Sequence, residues 1–198
     1  MAKHYALTFL PWIALAVVSG VSDAAGALAG LAAALVLLAV RRRGGHRPAA
    51  LVLEYSSAVY MAVLSAVALA APDAAALRYG ASLAIGWLAL TAWGGLAIGR
   101  PFTEGIARRR VTAEIAARPL FRRIMVTVTA VWAAGFTVTA LALAAVQYAA
   151  PHQTALLIAC KVAGFALPAA FTARYPEHAR KRHFAANGIP ESAYAPAH

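Results

Sequence analysis

The sequence predicts an all-α integral membrane protein of six transmembrane helices, folded as three hairpins with both termini in the cytoplasm. Three observations predict it. The 198 residues are 62% hydrophobic and only 13% charged, with a mean hydropathy of +0.68, a balance outside that of ordinary soluble domains. The apolar residues come in blocks of roughly 17 to 25, the length that crosses about 30 Å of hydrocarbon at 1.5 Å per residue. The basic residues gather in alternate connections between those blocks, as the positive-inside rule requires.

The first span is expected at 5–21, where Lys3 and His4 precede an apolar run that continues through Ser19 and Gly20, so the segment reads as an uncleaved helix. Ser22 or Asp23 can cap the second, 24–40, which stops at Arg41, Arg42, Arg43 and Arg47 around Gly44 and Gly45. The third is expected at 49–71, and Pro72-Asp73 makes the next turn. The fourth, 79–98, ends at Gly99-Arg100-Pro101. In the long basic connection after it, Thr103 can cap an interfacial helix from Glu104 towards Ala117, before Pro119. The fifth and sixth spans are expected at 124–148 and 154–171, separated by Pro151-His152, with Pro168 a candidate kink near Gly164. Residues 1–173 therefore read as the membrane domain and 174–198 as a basic, largely disordered cytoplasmic tail.

Orientation follows from the lysines and arginines. Of the 18, 16 lie in the N-terminus, the second and fourth connections and the tail; Arg78 alone lies on the opposite side, and Lys161 is inside a span. This orients the protein with its basic segments and both termini in the cytoplasm. The net charge of +11 is then a topology signal that also meets anionic lipid headgroups, and no aromatic-interleaved basic surface points to nucleic acid. Ala70–Leu77 resembles Ala149–Leu156 in sequence, which suggests three hairpins of like orientation.

Few residues offer chemistry. Glu54 and Lys161 are the ionisable side chains within apolar blocks, and such charges are rare enough to mark candidate sites. They fit either a buried ion pair or a proton or cation site. Around Glu54, Tyr55, Ser57 and Tyr60 are candidate polar lining, or else bond across helices while Glu54 reaches headgroups. Thr127, Thr129, Thr137 and Thr139 can bond back to their own helix carbonyls. Gly26-x-x-x-Gly30 and Gly95-x-x-x-Gly99 read as small-residue faces for close helix approach. The single cysteine, Cys160, reads as a packing residue, and no histidine lies mid-span for a haem. Phosphate-loop, zinc-protease and Asp-rich diphosphate motifs are missing from the sequence, so no metal or cofactor is expected.

The most distinctive string is Gly99-Arg-Pro-Phe-Thr-Glu-Gly-Ile-Ala-Arg108. It resembles the Gly-Arg-Pro-Phe-Thr string of an uncharacterised family of small six-span bacterial inner-membrane proteins, with Ile106 where that pattern has an aromatic. The resemblance implies the six-span layout and a place in a bacterial inner membrane, and carries no activity with it. Physically, Pro101 stops one helix, Thr103 can cap the next, and Arg100 and Arg108 can cup a phosphate or lipid headgroup.

Transport of a small solute or ion, alone or as a subunit of a transporter, is the function these features favour. Glu54 and Lys161 would line or gate the path. Two other classes stay open. One is a membrane-embedded enzyme on a lipid or prenyl substrate, anchored by Arg100 and Arg108 with Glu54 as acid or base. The other is a non-catalytic subunit that docks a membrane complex or a second copy through its glycine faces.

Overall fold

The computed structural model describes residues 9–45, 51–108, 111–150 and 152–188. Its helices are α1 (Leu10–Val18), α2 (Asp23–Arg43), α3 (Val52–Ala70), α4 (Ala75–Arg78), α5 (Gly80–Ala97), α6 (Phe102–Ala107), α7 (Ala113–Ala117), α8 (Pro119–Ala149) and α9 (Thr154–Ala186). Five of them, α2, α3, α5, α8 and α9, are long and apolar enough to cross a membrane. The described part of the first expected span is α1, with nine residues, about 13 Å of helix. Residues 5–8 of that expectation lie outside the described residues, as do 1–4 before it and 46–50 between α2 and α3.

Local chemistry explains the joints. Ser22 is extended (ψ 155°) and its hydroxyl accepts the Ala25 amide at 3.1 Å, capping α2 as expected. Ala71 and Ala150, which both precede prolines in the sequence, share one conformation (φ −144°, ψ 70° and φ −146°, ψ 63°). Each amide still donates to the carbonyl four residues back, Val67 at 2.9 Å and Val146 at 2.8 Å. Proline pushes its predecessor out of the helical region, so the similar strings at Ala70 and Ala149 encode the same helix exit. Beyond the exit the two diverge: α4 breaks at Tyr79 before α5, whereas α9 starts at Thr154 and runs on.

Packing does not obey three sequential hairpins. The structure instead forms two groups of three helices. In one, α2 lies against both α1 and α3; in the other, α8 lies against both α5 and α9; α3 and α5 meet only over a short crossing. Glycine decides where backbones close. A Cβ on Gly26 would collide with Ser19 of α1, and one on Gly30 would come within 2.7 Å of the Met61 sulfur and 3.2 Å of the Pro11 carbonyl. In the second group a Cβ on Gly135 would stand 2.8 Å from Pro168 Cγ, and one on Gly164 would collide with Thr139. These notches replace the hydrophobic drive that lipid withholds from helix association.

Two expectations for the basic segments change. The chain beyond residue 173 is not a loose tail: α9 continues through Pro168 and Pro176 to Ala186, about 50 Å in all. Phe171 stacks on Tyr175 at 4.7 Å and Glu177 pairs with Lys181 at 3.1 Å, contacts at helical spacing that carry the helix onward. It ends at Asn187-Gly188, where glycine takes φ 64°. Residues 189–198 lie outside the described residues. The segment after Gly99 is two short helices instead of one interfacial helix, and Phe102, Thr103, Ile106 and Ala116 are buried against the bundle. The cap of α7 is Thr112, whose hydroxyl accepts the Ile115 amide.

Candidate functional site: a buried polar column on α3

Glu54 lies in the first turn of α3 and is only 3% exposed, so it does not reach out to headgroups. The positive end of the helix dipole favours a carboxylate there. From Glu54 the inner stripe continues through Ser57, Met61, Ser65 and Ala68, in steps of three and four residues that keep one helical face. All five are buried. Tyr60 stands beside the stripe, 8% exposed. The column from Glu54 to Ser65 therefore runs inward over about 16 Å.

Aromatic side chains wall this column at the junction of the two helix groups. The Tyr60 ring stacks on Trp12 of α1 at 5.2 Å and faces Trp87 of α5 at 5.6 Å. Both indoles have committed their N–H groups: Trp12 donates to Ser57 Oγ at 2.9 Å, and Trp87 donates to Ser56 Oγ at 2.8 Å. Ser56 Oγ also lies 2.5 Å from Thr91 Oγ1. A second cluster joins Phe9 to Trp132 and Phe165 at 6.1 and 5.5 Å, and the Trp132 indole donates to Thr172 at 2.9 Å. Side chains, more than backbone contact, hold the two groups together here.

Two hydroxyls stand out from these satisfied neighbours. Tyr60 Oη and Ser65 Oγ are buried and have no hydrogen-bond partner among the described residues. In an apolar interior an unmade hydrogen bond is costly, so such groups call for an explanation. Ser57, by contrast, is occupied by Trp12.

The other candidate residues separate from this column. Tyr55 turns to the helix end, where Arg42 donates to its hydroxyl. Lys161, half-buried, is the eighth residue of α9, which enters the bundle from the end opposite Glu54, and it makes no ion pair among the described residues. A helical side chain leans towards its own N-terminus, so Lys161 leans towards the start of α9 at Thr154, about 10 Å back along the helix.

The Gly99–Arg108 string does not form an anion cup. Gly99 has φ 69° and its amide donates to Leu96, while the Arg100 amide donates to Gly95 at 2.7 Å. This is a left-handed glycine cap, and a Cβ on Gly95 would stand 2.9 Å from the Arg100 carbonyl. Gly95 and Gly99 thus shape a chain reversal and not a helix–helix face. Thr103 does not cap its helix. It donates to the Met125 carbonyl at 3.1 Å and meets Thr129 Oγ1 at 2.6 Å, tying α6 to α8. Arg108 is held by Glu104, with both bonds at 2.7 Å, and Arg100 is exposed. Of the four threonines of α8, Thr127, Thr137 and Thr139 bond back to carbonyls four residues earlier, whereas Thr129 joins Thr103.

Ser65, Trp12, Trp87 and Thr91 carry the site together with the expected residues, yet nothing in the sequence singled them out. For Ser65 a signal existed, since it falls two helical turns beyond Ser57 on the same face. The indoles had none, because their partners come from other helices. Among the described residues no cluster of metal-ligating side chains occurs. No family model matches the chain, and comparison with curated proteins and with solved structures finds no similar one.

Proposed function

We propose that this is a multi-pass bacterial inner-membrane protein that moves a small solute or ion along the inner face of α3, at the junction of its two helix groups. One observation carries the proposal: a carboxylate and three hydroxyl-bearing side chains are buried on a helix that otherwise presents mostly apolar residues, Glu54, Ser57 and Ser65 along one stripe and Tyr60 beside it. Intramembrane polar groups at such cost are a mark of substrate and ion pathways. The junction supports it too, because α3 and α5 share little backbone contact and two groups so joined can rock against each other.

In this proposal the span that includes α1 makes six, and both termini face the cytoplasm with Arg41 to Arg43, Arg118 to Arg123 and the end of α9. Arg100 and its basic neighbours rest among anionic headgroups. An enzyme acting on lipid is less well supported. Of its anchor, Arg100 and Arg108, Arg108 is engaged with Glu104, which leaves the exposed Arg100 to hold a headgroup alone.

The test uses purified protein in vesicles loaded with fluorescent indicators for protons, Na⁺ or K⁺. A flux above that of protein-free vesicles, lost in Glu54→Gln with the fold intact by size exclusion, is the expected result. No difference from protein-free vesicles for any of the three ions overturns ion transport along α3.

A further inference from the structure

We infer that α9 holds one anionic phospholipid from the leaflet at the basic end of the bundle, with its phosphate on Arg174 and His178 and an acyl chain along Ala170, Leu167 and Ala163; this stands apart from the transport proposal above. Three observations carry it. First, one stripe of α9 changes character along its length. Ala163, Leu167, Ala170, Arg174, His178 and Lys181 follow one another in steps of three and four residues, which keeps them on one helical face. All six are exposed, Leu167 to 72%. Ala163 and Leu167 directly precede Gly164 and Pro168, which face α8, so the stripe is turned about 100° away from that contact.

Second, the change from apolar to basic falls at the depth of a bilayer edge. From Thr154, where α9 starts, to Arg174 is about 30 Å of helix, the thickness of the hydrocarbon layer. His178 and Lys181 lie about 6 and 10 Å farther on. Side chains that lean towards their own N-terminus bring both heads back to the headgroup layer.

Third, a hollow of about 570 Å³ opens where the stripe changes, and its lining includes Ala170 and Phe171 on the apolar side and Arg174, Glu177, His178 and Lys181 on the other. Glu177 pairs with Lys181 at 3.1 Å, so that ammonium is already matched. Arg174 and His178 make no hydrogen bond or ion pair among the described residues. A guanidinium fork fits phosphate oxygens with two parallel bonds, and an imidazole offers an N–H in either charge state. Apolar lining that gives way to basic lining matches an amphiphile with an anionic head. A soluble acidic partner would leave Ala170 and Phe171, at hydrocarbon depth, uncovered.

The experiment is native mass spectrometry of the purified chain in detergent, titrated with phosphatidylglycerol, with phosphatidylcholine of the same acyl chains, and with inorganic phosphate. The chain should retain one phosphatidylglycerol per copy, about fivefold or more above phosphatidylcholine, the factor that one basic residue contributes near an anionic surface. Arg174→Ala should remove that preference, and Ala170→Trp, which fills the apolar end of the hollow, should lower phosphatidylglycerol retention. Arg182→Ala takes away the same charge outside the hollow and should leave retention unchanged. Equal losses in Arg174→Ala and Arg182→Ala mean diffuse charge attraction and overturn the site, as does equal retention of the two lipids, or of neither, by the original chain. Displacement of the lipid by inorganic phosphate at equal concentration, or retention untouched by Ala170→Trp, assigns the site to a free anion and overturns the lipid. If Arg174→Ala does not run as a single peak in size exclusion, Arg174→Gln takes its place with the same outcomes.

Discussion

The Trp12 indole donates a hydrogen bond of 2.9 Å to Ser57 Oγ, and through it the first described helix is fastened to the polar face of α3. Both partners are buried. Removing the hydroxyl leaves an indole N–H with nothing to bond, a loss of about 1–3 kcal/mol. Ser57→Ala should therefore lower the unfolding midpoint in detergent, and adding Trp12→Phe to it should cost less than the sum of the two single changes. Strict additivity in that cycle would show that the bond is not made.

Tyr60→Phe is expected to act in the opposite direction on stability. The hydroxyl it deletes is buried without a partner, and both ring contacts, to Trp12 and Trp87, survive. Relief of an unmet hydrogen bond should stabilise the protein by about 1 kcal/mol. A lower unfolding midpoint for this variant would mean that the hydroxyl is bonded in the folded protein.

Gly94 and Gly95 are neighbours with opposite roles. Nothing stands within 4 Å of a Cβ built on Gly94, whereas one on Gly95 meets the Arg100 carbonyl at 2.9 Å. Gly94→Ala should gain up to about 1 kcal/mol of helix propensity. Gly95→Ala should lose stability by spoiling the turn that aims Phe102 and Thr103 at α8. Thermal unfolding of the two variants side by side reads the sign.

Thr103 and Arg108 make a second contrasting pair. Thr103→Val removes the buried bonds to Met125 and Thr129 and should cost about 1–3 kcal/mol. Arg108→Ala breaks an ion pair whose arginine is half exposed, and such pairs contribute at most about 1 kcal/mol. Equal losses in a denaturant titration would contradict this ranking.

Topology is open to cysteine labelling. In a Cys160→Ala background, Gly45→Cys and Asn187→Cys should react only with reagents that reach the cytoplasm, and Asp73→Cys only with those outside. A cysteine replacing Lys3 should behave like Gly45→Cys if the segment containing α1 crosses the membrane. Labelling of that position from outside would leave five spans.

The helical class of the protein and the positions of five of the expected spans were legible because they depend on composition and length. Apolar blocks must be helical in lipid, where every backbone group bonds within its own segment. Helix ends were legible where the device is local: Ser22 capping α2, and alanine before proline closing α3 and α8. Glu54, Ser57 and Tyr60 could be placed on one helix for the same reason. Neighbours were not legible. A Gly-x-x-x-Gly spacing has one appearance whether it seats another helix, as at Gly26 and Gly30, or reverses the chain, as at Gly95 and Gly99.

By itself, then, the sequence determined an all-helical membrane protein with its basic residues gathered towards one face, and it marked Glu54 as the charge to examine. Tertiary structure alone decided that the helices form two groups of three instead of three hairpins, that Thr103 bonds α8 instead of capping α6, and that Lys161 stands apart from Glu54. It also decided which hydroxyls are left without partners. The physical reason is the range of the interactions. Hydropathy, capping and proline act over a few residues of one chain segment, whereas hydrogen-bond satisfaction at Tyr60 and Ser65 depends on side chains brought in by other helices, whose approach is set by notches such as Gly30 and Gly164.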